Sequence, residues 1–584
     1  MYADPESSAS EANPSTMTCD SLFSVLEADS ADLRGSDYST FADIINTMPG
    51  SYHFDTGSMG LPSPLSLFAS PADRFELEFD GLLLNDPLTQ KADLKLIPTE
   101  SIGTIQVLQN QCSGYQTGPA IKVTTHDHSF VPLHSKIAYR PGNFFRNQLD
   151  VRLGVQLNPT FALNAGAQTR LFGGIMPHSR FRSESWNVKL DKQFKNVSLS
   201  YIWLQYRDHQ RLPISGTLPG WESLKEPNQK QYRTDHALFF RFSQHISASI
   251  QATLYDRRDF AADYTIWNQS HHAKSLYIKA AYQNSFQSFQ YQLGSFARLY
   301  KFSSDTWQDT EQSRSGGWIQ VSRQNNKLKW QAGTHLIHLS ENDFYLLPRL
   351  LLTLETTQLS KLSAFAGQKI TPVSIEERYG QSPFGVGNDS LLTGRIKNAG
   401  LSWEITKNRL KAYLSLAVEN REHMPAAAFR DGLIRYINLE SHTCTSIDLL
   451  LDYTFSHWQT HGRIHANNNL SNAPVRVNRP DVYGRFYIAY RSTFFRNDLK
   501  LLLRVGGEFI GSREGSTAVY SDYSDDRINL RPALVPYAHL SAGIGDVDFF
   551  ACIENFTGLN YQQIYGFDSP RSLIRYGLVW NFDD

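Results

Sequence analysis

Long apolar runs are missing from this sequence, and their absence excludes membrane-spanning helices. A helix needs about 20 consecutive apolar residues to cross a bilayer. The most apolar stretch, residues 345–354, is interrupted by Pro348 and Arg349. The mean hydropathy of −0.39 resembles that of a soluble protein. A sheet that alternates lipid-facing and polar residues gives the same average, so this value does not exclude a transmembrane β-barrel.

Excess charge, clustered cysteines and catalytic motifs are also missing. The formal net charge of −1 gives no whole-molecule attraction to nucleic acid. The four cysteines have no metal-site spacing, and the sequence leaves any disulfide pairing open; they are Cys19, Cys112, Cys444 and Cys552. No nucleophile elbow, phosphate-binding loop or catalytic pair of carboxylates stands out, so we expect neither an enzyme nor a cofactor.

The sequence does contain segments in which apolar and polar residues alternate with a period of two. In residues 410–418 one side is apolar, and it consists of Leu410, Ala412, Leu414, Leu416 and Val418. Residues 246–254 and 499–505 repeat the pattern. This period predicts β-strands with one apolar and one polar face. A soluble β-sandwich would show the same alternation, so the lengths of the connections must separate the two folds.

Short turns alternate with long connections from residue 131 to residue 582. Candidate turns include Asn158-Pro159, Lys195-Asn196, Asn284-Ser285 and Gly545-Asp546. Every second connection is longer: 172–182, 208–232, 259–272, 301–313, 371–389, 422–444, 469–480, 511–529 and 557–571. Short turns at one rim and long loops at the other are typical of outer-membrane barrels, and about 22 strands fit into this stretch. A barrel of that circumference needs an insert to fill its lumen.

Two parts of the chain resemble TonB-dependent outer-membrane receptors. Residues 41–109 resemble the plug domain of these receptors: a helix ending at Met48-Pro49-Gly50, a strand into Asp80-Gly81, then Asn85-Asp86-Pro87 and a D-L-x-x-I-P run at 93–98. Residues 552–582 resemble their last two strands. The final aromatic residue, Phe582, is similar to the signal that the barrel assembly machinery reads.

The resemblance implies a fold and a division into domains. We expect an all-β membrane protein with an antiparallel transmembrane β-barrel of about 22 strands. A small N-terminal α+β plug domain would lie inside its lumen. The expected boundaries are a flexible N-terminal segment at 1–31, the plug domain at 32–125 and the barrel at 126–584. Residues 1–15 are acidic and Ser-rich rather than signal-like, so we expect Met1 not to be the native start.

The resemblance also implies where a solute binds. In the family, the turn after the Asp-Gly strand lies at the plug apex, which corresponds here to Asn85, Asp86, Leu88, Thr89 and Gln90. Met59 belongs to a neighbouring apical loop. Aromatic residues of the long loops, Trp221, Trp267 and Tyr523, complete the candidate ligand contacts. Turn chemistry alone favours the same polar residues at 85–90, and the aromatic residues also suit a role as rim anchors.

The partners implied by the resemblance are TonB in the periplasm, outer-membrane lipid and an unidentified solute. Two departures weigh against TonB. Plugs of the family carry Arg-Gly where this chain has Phe68-Ala69 and Gln109-Asn110, and residues 1–33 contain no convincing TonB box. The alternative is a TonB-independent plugged barrel, acting as a passive pore or as the outer-membrane part of a surface complex.

Histidines recur at His457, His461 and His465, which on a helix would form a metal-binding row. On strands this spacing only keeps side chains on one face, and a turn at Ser456-His457 would separate the first histidine from the others. The pair His271-His272 fits polar loop positions better than a metal site. We therefore predict no metal.

Overall fold

The structure is a computed structural model, and the parts of the chain that it describes lie between Leu26 and Asp583. They are residues 26–29, 38, 40–53, 59–60, 65–68, 74–111, 118–126, 133–175, 178–212, 226–261, 267–325, 327–340, 343–357, 359–382, 385–469, 477–516, 523–525 and 527–583. No described helix is both long and apolar enough to cross a membrane.

Twenty-two antiparallel strands form a closed barrel. They are Leu133–Gly142, Arg146–Asn158, Phe161–Phe172, Phe181–Gln193, Val197–Arg211, Asn228–Phe242, Ile246–Phe260, Asn268–Phe286, Phe289–Ser304, Thr310–Gln324, Leu328–Leu339, Phe344–Thr357, Ser360–Thr371, Gly394–Lys407, Leu410–Glu422, His442–Phe455, Trp458–Asn469, Val482–Phe494, Leu499–Ile510, Ala533–Ile544, Val547–Glu554 and Leu573–Asp583. Each strand pairs with its neighbours in sequence, and the last strand pairs with the first. The predicted barrel is confirmed.

The alternation along each strand separates the outer surface from the lumen. Leu416 and Val418 are 45% and 41% exposed, whereas Ser415 on the same strand is 1% exposed. Ile250 and Gln251 show the same contrast, at 42% and 3%. Leucine, isoleucine and valine therefore form an outer apolar band, and small or polar side chains face inward. A band of this kind is the surface that a membrane barrel presents to lipid.

Short turns connect the strands at one rim, and longer loops connect most of them at the other. One predicted turn is wrong: Asn284 and Ser285 lie inside the strand Asn268–Phe286, and the turn falls at Gln287 and Ser288. Gln287 adopts the positive φ of 54° that the tight turn requires. Pairing of Phe286 with Phe289 extends both strands past the Asn-Ser pair.

The long loops contain small sheets of their own. Three loops form a five-stranded sheet from Gln381–Ser382, Gly385–Val386, Pro425–Arg430, Leu433–Asn438 and Tyr523–Ser524. Arg513–Gly515 pairs with Ile528–Leu530, and Gln562–Ile564 pairs with Phe567–Asp568. A short helix, Ile375–Tyr379, begins with a capping box in which Ser374 and Glu377 bond each other's backbone. These loops are therefore folded elements rather than open connections.

A mixed α/β unit precedes the barrel, and we refer to it as the plug. Its main sheet has the order Leu26–Asp29, Ile102–Gln111, Gly118–Thr125, Glu76–Phe79 and Leu82–Leu83. It also contains the helix Phe41–Ile45, the strand pair Ser51–His53 and Leu65–Leu67, and the 3-10 helices Leu94–Leu96 and Thr99–Ser101. Leu26–Asp29, within the 1–31 segment, pair with Thr104–Val107.

The plug lies inside the barrel, because strands on widely separated parts of the wall contact it. Arg140, Arg233 and Arg463 all bond to plug residues from different strands. The core of the plug is apolar, with Phe41, Leu77 and other side chains packed together, and it continues into wall residues Ile202, Leu204, Tyr206 and Ala237. Apolar packing and polar contacts therefore both hold the plug against the wall.

Candidate functional site

The strongest charged contact between plug and wall is centred on Glu100. Its carboxylate pairs with Arg140 and Lys136 of the first strand, and Arg152 of the second strand donates to its backbone carbonyl. Burial alone would raise the pKa of Glu100, but the positive charges of Arg140 and Lys136 outweigh burial and hold this pKa well below its usual range. Glu100 is therefore an anion that fixes the plug to two adjacent strands.

In most of the remaining contacts between plug and wall, the wall again supplies the cation. Lys189 of the wall lies 3.2 Å from the carboxylate of Asp80 in the plug. Arg463 donates to Ser51 Oγ at 2.7 Å and to Asn46 Oδ1 at 3.0 Å. Two plug cations are exceptions: Lys95 lies 3.0 Å from Asp208 of the wall, and Arg74 pairs with Glu377 in a barrel loop. The wall thus supplies most of the cations, and the plug supplies carboxylates and carbonyl groups.

Phe68 occupies one of the two positions at which this chain departs from the plug motif. Where the family pattern has arginine, Phe68 is 2% exposed and packs into the apolar core of the plug. The Phe68 ring occupies the space that a Cβ atom at position 50 would need, so Phe68 requires glycine at that position. An arginine at this position would bring a charge into an apolar cluster. Arg140, Arg233 and Arg463, which bond the plug, instead come from the wall.

Arg233 binds the segment that leads to the plug apex. Its guanidinium donates to the carbonyl groups of Leu83, Leu84 and Asn85 at 3.0–3.2 Å. Asp235, on the same strand, accepts from Arg233 Nε at 2.6 Å, and both side chains are fully buried. The planar guanidinium suits this task, because its donors form a rigid fork that can meet several acceptors at once.

The predicted ligand contacts at 85–90 form a compact turn. Asn85 accepts from Leu77 N and donates to the carbonyls of Phe75 and Gln90. Asp86 Oδ1 accepts from the amides of Leu88 and Thr89 at 2.7 and 2.9 Å, which is an Asx turn. Asp86 Oδ2 accepts from Tyr255 OH at 2.7 Å. These side chains therefore build the turn and attach it to the wall.

A loop helix covers this turn. Leu88 is fully buried and packs in one apolar cluster with Ile375 of the helix Ile375–Tyr379. The amide of Glu376 donates to the carbonyl of Leu88 at 3.3 Å. Two ion pairs hold the helix down: Arg257–Glu376 at 2.8 Å and Arg74–Glu377. The plug apex is closed to solvent in this conformation except at Thr89, which is half-buried.

The other predicted contacts lie apart from this turn. Met59 is half-buried in the plug, beside Gly60, which packs against Phe181. Trp267 is 6% exposed, and its carbonyl accepts from Ala261 N at the end of a loop. Tyr523 is 6% exposed in the core of the five-stranded loop sheet. Trp221 lies outside the described residues. The structure thus groups the residues at 85–90, whereas Trp267 and Tyr523 belong to other parts of the barrel loops.

Sequence reasoning missed the residues that enclose the apex. Tyr255 and Arg257 are ordinary inward positions on a barrel strand, and Glu376 lies in the middle of a long loop. One signal was readable: Ser374 followed three residues later by Glu377 is the capping-box pattern, which predicts a helix start within the 371–389 loop. That the helix folds down onto Leu88 follows only from the structure.

Two histidines of the predicted row are paired with carboxylates of the neighbouring strand. His461 lies 2.7 Å from Asp452 and stacks on Tyr487, and His465 pairs with Asp448. His457 lies in the turn before this strand, as the sequence predicts. Within the described part of the chain, no three His, Cys, Asp or Glu side chains are arranged to hold a metal.

Solved structures with the same architecture cover nearly the whole chain. The siderophore receptor PirA from Acinetobacter baumannii superposes with a TM-score of 0.79 at 11% identity, covering 96% of this chain and 98% of that one. The chain has the fold of plugged barrel receptors. The FrpB iron transporter from Neisseria meningitidis matches at 0.77 and 10% identity, covering 96% and 98%.

A third neighbour extends the likeness to another receptor. The ferric enterobactin receptor PfeA from Pseudomonas aeruginosa matches with a TM-score of 0.76 at 12% identity, covering 95% of this chain and 98% of that chain. No protein-family model and no curated protein matches the sequence. A closed barrel of 22 strands with an apolar outer band crosses the bilayer many times, as barrels of the bacterial outer membrane do.

Proposed function

We propose that this chain is an outer-membrane receptor that binds a scarce solute at its extracellular loops and plug apex and imports it with energy from TonB. The observation that carries the proposal is the plug itself. It fills the lumen, and ion pairs at Glu100, Lys95 and Asp80 hold it against the wall. Free diffusion of a large solute is blocked by such an insert, so transport requires work on the plug.

The closed apex supports a binding role for the same region. The helix Ile375–Tyr379 is attached to the plug and wall by side-chain ion pairs and one backbone hydrogen bond. A ligand that displaces this helix would expose Leu88, Thr89 and the turn around them. Binding at the loops would thereby be linked to the plug, because Arg74 and Leu88 belong to the plug itself.

The neighbours in structure indicate which solutes to test first. Their descriptions name siderophores, iron and ferric enterobactin. We therefore propose ferric siderophores as the first class of ligand, with corrinoids, oligosaccharides and peptides as further classes. In this proposal residues 32–125 act as the plug domain and residues 126–584 as the barrel, with Met59, Asn85, Asp86, Leu88, Thr89, Gln90, Trp221, Trp267 and Tyr523 as candidate ligand contacts.

The N-terminal strand supports the connection to TonB. TonB pairs with its receptors by strand addition to a short extended segment. Leu26–Asp29 is the edge strand of the plug sheet and pairs with Thr104–Val107, which lies close behind Glu100. Tension applied to the chain before residue 26 would act on this edge first, and then on the strand that follows Glu100.

Binding and uptake together test the proposal. The purified receptor, with its native N-terminus established, would be titrated with the periplasmic domain of TonB. Uptake of radiolabelled ferric siderophores would be measured in cells with and without TonB. We expect association with TonB and uptake that requires it. A receptor that neither binds TonB nor takes up any tested solute, and that shows steady conductance in planar bilayers, would favour the alternative of a TonB-independent pore.

A further inference from the structure

Basic side chains are concentrated on one part of the outer surface, just below the long-loop rim. They occupy outward-facing positions on six consecutive strands, from Phe181–Gln193 to Phe289–Ser304. The cations are Arg182, Arg207, Lys230, Arg258, Lys274 and Lys301, with His209 and His272 among them. Arg182, Arg207 and Lys301 have side chains that are 65%, 63% and 62% exposed. We refer to these eight residues as the outer basic patch.

Strand register places like charges directly beside one another in this patch. Lys230 faces Arg258, and His209 lies between Arg182 and Lys230 on the neighbouring strands. Lys274 faces Lys301 on the next pair of strands. Like charges directly opposite each other destabilise a sheet. Neighbouring strands lie about 4.8 Å apart, so a single anionic group can bridge two such cations.

Carboxylates are present in the patch but are fewer than the cations. Glu184 bonds Arg182 and Arg207, Asp256 pairs with His272, and Glu311 lies 3.7 Å from Lys301. Lys230 and Arg258 both contact the Phe260 ring, at 5.3 and 5.6 Å from its centroid. The aromatic ring fixes both cations at the surface, where they can meet a ligand from the membrane side.

Another part of the same rim is apolar, so the basic patch does not extend around the whole barrel. On strands at the far side of the barrel, the matching outward positions next to the loops are Val482, Phe509, Leu534 and Ile574, all exposed. Directly below the patch, the surface is apolar, with Leu238, Leu254 and Leu276 exposed by 36–46%. A ligand of the patch therefore has an anionic head at the rim and an apolar part that lies along the barrel.

We infer that the outer basic patch binds the phosphate-bearing headgroup of a lipid in the outer leaflet. Arginine and lysine bond phosphate oxygens, and clusters of them at a membrane surface recognise anionic headgroups. The acyl chains lie on the leucines below. The inference rests on the proposed function only for the orientation of the barrel, in which the long loops face outward from the cell.

Lipid retention by the purified protein tests this inference. Native mass spectrometry in detergent would compare diphosphoryl lipid A, monophosphoryl lipid A and phosphatidylcholine as probes. The test variant carries Arg182→Gln, Lys230→Gln and Arg258→Gln. The control variant carries Arg323→Gln, Lys327→Gln and Arg409→Gln, which removes the same charge at the short-turn rim. We expect the test variant to bind diphosphoryl lipid A at least about tenfold more weakly, and the control to match the unaltered protein.

The outcomes separate this inference from the proposed function. Retention that depends on the number of lipid phosphates and is lost only in the test variant supports the patch. Equal retention by both variants, or full competition by inorganic phosphate alone, would overturn it. The measurement needs neither a solute nor TonB, so a failure of import leaves it unaffected. Protease cleavage of the long loops in intact cells tests the orientation, and a heat-modifiable band on gels confirms that each variant is folded.

Discussion

The carboxylate of Glu100 in the plug pairs with the guanidinium of Arg140 in the first barrel strand, and both side chains are buried. Lys136 shares the same carboxylate. A charge that is buried in this way is stable only while its partners remain. The pair therefore provides a direct test of how the plug is held against the wall.

Glu100→Gln is expected to loosen the plug. The change removes the Glu100 carboxylate from Lys136 and leaves Arg140 with only Asp150, at 3.6 Å. Breaking a buried pair of this kind lowers the free energy of unfolding by about 3–5 kcal/mol. We expect a lower urea midpoint in detergent and transient openings in planar bilayers. Glu78→Gln is the matched control, because Glu78 pairs with Lys122 of the plug at 3.8 Å. Equal conductance of both variants would contradict this account.

Plug stability is expected to fall in acid. The pKa of Glu100 is lowered in the folded state, so its contribution is complete above the ordinary glutamate pKa of about 4.3 and is lost as the pH falls below that value. Urea midpoints measured from pH 7 to pH 3 should drop below about pH 4.3 in the unaltered protein. The drop should be smaller in Glu100→Gln, and identical profiles would show that other groups dominate.

Replacing Arg233 is expected to release the segment before the apex. Arg233→Lys keeps the charge but loses the fork that meets the carbonyls of Leu83, Leu84 and Asn85. Arg233→Met also leaves Asp235 buried without its cation. Limited proteolysis should therefore cut the plug faster in the order Met, Lys and unaltered protein, while the barrel stays heat-modifiable. A lysine variant that is as resistant as arginine would show that charge alone suffices.

The loop helix is expected to control access to Leu88. With the four native cysteines replaced by serine, Leu88→Cys should react slowly with a maleimide, because Ile375 and Glu376 cover it. Adding Arg74→Gln or Arg257→Gln removes one ion pair to the helix and should speed labelling several-fold. Lys397→Gln breaks a surface pair with Glu422 and serves as the control. Labelling that is fast in every variant would mean that the helix does not close the apex.

The barrel could be predicted from the sequence because its pattern is local. Alternation in 410–418 fixes which residues face lipid, and Leu416 and Val418 do so. The position of turns was less certain, as Asn284 and Ser285 show, because turn-forming residues are tolerated in a strand whose partner continues beside them. Period and turn chemistry thus define the faces of a strand better than its ends.

The closed apex could not be predicted, because its contacts join distant parts of the chain. The sequence identified Asp86 and Leu88, but not that Tyr255 and Ile375 would meet them. Likewise, Phe68 indicated that the arginine of the plug motif was replaced. An inward arginine such as Arg463 looks like any polar residue of the wall, so the reversed polarity of the interface became readable only from contacts.

Pairing of the last strand with the first has a consequence for the order of events during assembly. Every other barrel pair joins strands that are consecutive or close along the chain. Asp583 and His134 also pair, although they lie at opposite ends of the barrel sequence. Loop-closure entropy makes this the slowest contact to form. Until it forms, the sheet is an open ribbon with two unsatisfied borders that can pair with another copy. Truncating the final strand would therefore leave polypeptides that aggregate in the periplasm instead of inserting.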